Sequence, residues 1–158
     1  MSDQIKTEKL FRWILFTGVL TGTIDILFAF IMNYHVPAAT ILKFIASGLF
    51  GKAAFSKGAE MIYYGLFFHF FFAFAWTILF FLFYPKLLNI LKFRYILIII
   101  IGLVIWTVMN LVIVPLSKIP SQQFHFITVI KDMAALVLAY GLPITLIANK
   151  FYNTKSLS

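Results

Sequence analysis

The chain has no cysteine, only 5 prolines and 8 glycines, and 5 acidic residues among 158. Without cysteine there is no disulfide framework, no thiolate nucleophile and no Cys-ligated metal. Charged residues make up 11%, against about 25% in soluble domains, so the chain cannot cover its own surface with solvated groups. What is present in their place is 63% apolar and 19% aromatic residues, with a mean hydropathy of +1.00. Lipid is the solvent that fits this composition. A spanning helix takes about 20 residues, so the length holds four spans with short connections, read as a single membrane domain over residues 1–158.

The formal charge of +8 does not point to nucleic acid, because the lysines and arginines stand singly at the ends of apolar runs, as topology signals do. The expected fold is an all-α, polytopic membrane four-helix bundle with spans at about 13–34, 62–84, 95–114 and 126–148. Prolines punctuate these runs. Pro37 biases Val36 away from helix, and Pro85 and Pro115 are read as stops for the second and third spans. Lys6, Lys9 and Arg12 before the first run resemble the start of a signal peptide. The run is longer than the ~7–15 apolar residues of such a segment and contains Asp25, so it reads as a retained helix. Four spans put both termini on one side. Lys6, Lys9, Arg12, Lys86, Lys92, Arg94, Lys150 and Lys155 fall on that face, against Lys43, Lys52, Lys57 and Lys118 on the other, which makes the termini cytoplasmic.

Between the first two spans, residues 38–58 are too apolar for a solvated loop and too short before Gly51 for a span. A short interfacial or re-entrant helix within residues 38–50 is expected, packed over the outer mouth of the bundle and touching helices one and two. Lys43, Lys52 and Lys57 would reach the headgroups.

Polar residues inside the spans carry the functional signal, because an ionisable group at membrane depth costs roughly 2.5–3.5 kcal/mol and is kept only with a partner or a purpose. Each helix carries one polar residue that stands out at depth, ionisable in three of them: Asp25, His69, Asn110 and Asp132. Counting ~1.5 Å per residue from the outer ends puts them at depths of ~13, ~10, ~6 and ~9 Å, all in the outer half. Residues three and four apart share a face, which sets Gly18, Gly22, Asp25 and Ala29 on one stripe, Gly65, His69 and Ala73 on another, Gly102, Trp106 and Asn110 on a third, and Asp132, Ala135 and Ala139 on a fourth. Small residues mark close helix approach, so these polar groups face the bundle. Lys131, about 100° round from Asp132, points instead to the outer headgroups.

Asp25 and His69 then read either as a structural hydrogen-bonded pair or as the heart of a pocket, and Asn110 as helix glue or a ligand contact. The aromatic run at residues 67–74 reads as packing and lipid-facing surface. No HxxxH or HExxH pair sets two metal ligands on one face, no GxSxG marks a nucleophile, and Gly48 to Lys52 lacks the spacing of a P-loop. No cofactor or metal is expected.

The stretches TGVLTGTIDILFAF at 17–30, LKFIASGLFGKAAF at 42–55, YYGLFFHFFFAFAW at 63–76, WTVMNLVIVPLS at 106–117 and GLPITLIANK at 141–150 together resemble an uncharacterised family of small bacterial four-helix membrane proteins, with a looser similarity to the YagU-like inner-membrane proteins. The resemblance covers most of residues 13–150. It implies a bacterial cytoplasmic (inner) membrane location and a four-span fold, and no activity. The resulting expectation is an inner-membrane protein, possible as a homo-oligomer in the bilayer, whose outer half binds or relays a proton or a small polar solute through Asp25, His69, Asn110 and Asp132. The alternatives are a membrane enzyme acting on a lipid-like substrate, and a structural partner without a ligand of its own.

Overall fold

The computed structural model describes residues 2–119 and 125–155. Among these there is no strand, and the chain is an all-α membrane bundle. Four helical segments are long and apolar enough to cross a membrane, at Thr7–Met32, Glu60–Leu91, Arg94–Leu116 and Phe126–Asn153. Helix α1 (Ser2–Met32) carries the first. A turn leads through Pro37 into α2 (Ala38–Phe50), and the single-turn α3 (Ala53–Ser56) follows. The second span is α4 (Glu60–Leu91). The third begins as α5 (Arg94–Val108), passes through a π turn at Met109–Ile113 and ends in α6 (Val114–Leu116). The fourth is α7 (Phe126–Leu136), a second π turn at Val137–Gly141, and α8 (Leu142–Lys155).

Close approach is built on small residues, as expected where lipid tails compete for every apolar contact. A β-carbon on Gly22 would sit 2.8 Å from Phe70 and 3.0 Å from Ala73, and one on Gly18 would strike the Phe74 ring, so the glycine stripe of α1 lies against α4. Gly65 faces the Leu42 carbonyl of α2, and Gly141 faces the Ile98 carbonyl at the crossing of spans three and four. Buried hydroxyls are satisfied locally or across helices. Thr17 and Thr21 bond the carbonyls of Trp13 and Gly18, and Thr21 meets Thr77 of α4 at 3.2 Å.

Proline does not end the second span. The sequence reading stops that helix at Tyr84, whereas α4 runs through Pro85 to Leu91 and closes with Lys92 in the left-handed region. Proline removes the N–H that would bond the carbonyl four residues back, here that of Phe81. The Tyr152 hydroxyl of α8 donates to that carbonyl instead, at 3.2 Å, which is how a neighbouring helix rescues a proline in lipid. Pro115 and Pro143 are accommodated differently. Each stands six residues after the first residue of a π turn, in which Val114 N–H bonds Met109 O and Leu142 N–H bonds Val137 O. The widened turn relieves the proline ring without stopping the helix. The first span also differs from its expected range: it ends at Met32, and Asn33 and Tyr34 lie in the following turn. The fourth reaches Asn153 instead of residue 148.

Helix α2 occupies the expected residues. Ala46 and Ser47 are fully buried and Leu42 nearly so, while Leu49 is exposed. It packs chiefly on α4 and touches α1 less, and its far end is tied to the segment after the third span by Lys118 N–H donating to Gly48 O at 3.0 Å.

Candidate functional site

At the α2 end of the bundle a cavity of about 350 Å³ lies between the four spans and α2. Asp25, His69, Asn110 and Asp132 all line it, with Tyr140, Trp76, Trp106 and Phe72 among its other walls. Ile41, Phe44 and Ile45 line it from α2. The antiparallel run of the helices explains the convergence: each polar residue lies ~9–13 Å from the end of its span on this side, counting from Met32, Glu60, Leu116 and Phe126.

His69 is buried, and its Nε2 stands 2.7 Å from the carbonyl oxygen of Gly22. A carbonyl only accepts, so Nε2 carries the hydrogen and donates. The neutral ring then presents a bare Nδ1, which faces Asp25 Oδ2 at 4.0 Å. Glycine at position 22 suits this contact, because a β-carbon there would crowd Phe70 and Ala73 on the same face of α4. The Phe70 ring stands edge-on to the imidazole, 5.3 Å between centroids. Asp25 keeps a quarter of its side chain accessible, on the cavity side. Its Oδ2 also accepts from the Tyr140 hydroxyl at 3.2 Å. Tyr140, Asp25 and His69 therefore form one polar array joining the fourth, first and second spans, in which a proton between Nδ1 and Oδ2 has two homes: on the acid with a neutral imidazole, or on the imidazole with a carboxylate.

The sequence reading missed Tyr140. The stripe of small residues runs through Asp132, Ala135 and Ala139, whereas the steps of four from Asp132 through Leu136 lead to Tyr140. Tyr140 lies in the π turn at Val137–Gly141, from which its hydroxyl reaches Asp25. Pro143 inside an apolar run is the sequence signal for such a turn. Asn110 lies in the other π turn, where its amide donates to the Trp106 carbonyl at 3.0 Å, supporting the widened backbone while it lines the cavity. Asp132 lines the cavity, and Lys131 is exposed on another side of α7. His125 is exposed at the start of α7, and among the described residues no three His, Cys, Asp or Glu side chains converge in a metal-binding group.

The aromatic run of α4 divides by face. Phe67 and Phe71 are exposed to the surroundings of the bundle, Phe70 and Phe74 pack against the α1 glycines, and Phe72 lines the cavity. Beside the cavity is a second space of about 470 Å³, almost wholly apolar, bounded by α2, α4 and the third span. Comparison with protein-family models, with curated proteins and with solved structures finds no match to this chain.

Proposed function

We propose that this multi-pass membrane protein binds a small polar solute in the cavity at the α2 end of its bundle, and that Asp25 and His69 exchange a proton with it. The observation that carries this reading is the Tyr140–Asp25–His69 array on the cavity wall, with Asp25 Oδ2 held 4.0 Å from His69 Nδ1. Charged and polar groups at membrane depth that face a cavity mark ligand or proton pathways. In this reading Asn110 and Asp132 orient the solute, and α2 is the lid that governs access. A structural tie between helices would need only the His69 to Gly22 bond. It would not need an acid facing an open space.

The setting we propose is a bacterial inner membrane with both termini in the cytoplasm, so that the cavity faces outward. Its supports are the Lys and Arg distribution and the resemblance carried by Gly18, Gly22, Asp25, Gly65 and His69.

The test adds methylammonium, acetamide and acetate in turn to the protein in weakly buffered nanodiscs and follows proton release or uptake with a pH dye. Wild type exchanges about one proton per protein with the solute that binds, while Asp25→Asn and His69→Gln exchange none and unfold within about 1 kcal/mol of wild type, the worth of one ordinary hydrogen bond. No exchange with any of the three, combined with large stability losses in both variants, would make the pair a helix tie and end this reading.

A further inference from the structure

Two observations bear on the kind of solute. The first is charge. Among the described residues the cavity is lined by two carboxylates, Asp25 and Asp132, and by no lysine or arginine. In the low dielectric between apolar helices such a wall favours a cation and repels a phosphate or a carboxylate. Trp76, Trp106 and Phe72 add aromatic surface of the sort that binds ammonium groups. The second is adjacency. Phe44, Ile45, Phe72, Met109 and Val114 line both the cavity and the neighbouring apolar groove, so the two spaces share one wall. Beyond that wall the groove is bounded by Gly48, Leu49, Phe68, Phe71, Ile113 and Ile119. Leu49 and Phe71 are exposed at its rim, so it opens laterally where lipid tails would lie. The two volumes, about 350 and 470 Å³, each fall within the roughly 300–1,000 Å³ of small-molecule sites.

We propose that cavity and groove form one binding site for a single-chain lipophilic amine, with its ammonium group between Asp25 and Asp132 and its hydrocarbon chain in the groove between α2, α4 and the third span. This rests on the solute-binding reading above and names its ligand class. The flexible Met109 side chain and the π turn that carries it stand at the junction, where a chain must pass from one space to the other. Phospholipids are poor occupants, because their phosphate would meet two acids with no lysine or arginine beside them and His69 already facing Asp25.

The experiment uses Trp13→Phe protein in nanodiscs. Trp13 packs at the opposite end of the bundle, so the two remaining tryptophans, Trp76 and Trp106, both line the cavity and report on it. Methylammonium, octylammonium, octanol and octanoate are titrated, with concentrations corrected for partition into the bilayer. Octylammonium should bind at least tenfold more tightly than methylammonium, octanol and octanoate should not compete with it, and Asp132→Asn should weaken it at least tenfold. Gly48→Leu fills the groove and should weaken octylammonium at least tenfold while leaving methylammonium unchanged. Gly48→Ala, whose methyl would meet nothing nearer than Ile119 at 3.7 Å, controls for folding and should bind octylammonium as the parent does. Equal affinity for both amines, or indifference to Gly48→Leu, overturns the tail site and leaves the solute reading standing. Binding of octanol or octanoate as tight as that of octylammonium overturns the amine assignment alone. If none of the probes binds, and acetamide and acetate also leave the proton count unchanged, both fall.

Discussion

The two ends of this bundle treat polar groups in opposite ways. At the end carrying the termini, spans two, three and four stay α-helical, span two even through Pro85, and Phe81, Tyr84, Leu97, Ala148 and Phe151 form a buried core. The polar atoms there are spent on tying helices together: Tyr84 donates to Asn149 and Tyr152 to the Phe81 carbonyl. At the α2 end the third and fourth spans each loosen into a π turn, and the space between them is lined by acids and an imidazole. One half is packed to hold and the other is left open at the cost of helix regularity. π turns inside spans are frequent at functional sites, and here both lie on the helices that wall the cavity.

That contrast breaks most severely where the halves meet. Gly141 ends the second π turn and faces the Ile98 backbone, so a larger side chain has only a carbonyl to push against. Gly141→Leu should cost about 3 kcal/mol, the upper range for overpacking, read as a shift in unfolding in mixed detergent micelles. A loss below 1 kcal/mol would mean that spans three and four can separate freely, and the rigid half would lose its meaning.

A matched pair of truncations compares the halves directly. Within lipid the transfer term for a phenylalanine largely vanishes, because the tails are as apolar as the core. What remains is the void, at roughly 24 cal/mol per Å³. Phe81 is fully buried, so Phe81→Ala should cost about 2 kcal/mol. Phe72 already borders a cavity, and Phe72→Ala should cost less than about 1 kcal/mol. Equal losses would show the α2 end to be as tightly packed as the other.

The most specific effect concerns a single hydrogen bond at the packed end. Tyr152→Phe leaves the Phe81 carbonyl without its donor and should cost about 1–2 kcal/mol. Adding Pro85→Ala to that variant restores a backbone N–H four residues on and should recover most of the loss, whereas Pro85→Ala alone should change little. A double-mutant cycle with no coupling would mean that the tyrosine is not what carries the helix through the proline.

Much of this protein was legible before any coordinates. Composition dictates a lipid-solvated all-α chain, because so few charges cannot solvate a surface, and the spacing of apolar runs sets four spans. The short helix at residues 38–50 follows from an apolar stretch too brief to cross. Asp25, His69, Asn110 and Asp132 stand out because a polar group at depth is costly and helix periodicity says which way it points. What only the tertiary structure decided depends on partners far apart in the chain. Nothing near Pro85 reveals that Tyr152 will fill its missing hydrogen bond. Pro143 signals a disturbed turn near Tyr140, but nothing local reveals that its hydroxyl will meet Asp25, 115 residues away in the chain. The wall shared by cavity and groove exists only because α2, α4 and the third span meet there. Local sequence determines how each helix forms and which residues it cannot afford to show to lipid; which carbonyl, acid or ring those residues find is set by packing between elements, a property no single segment contains.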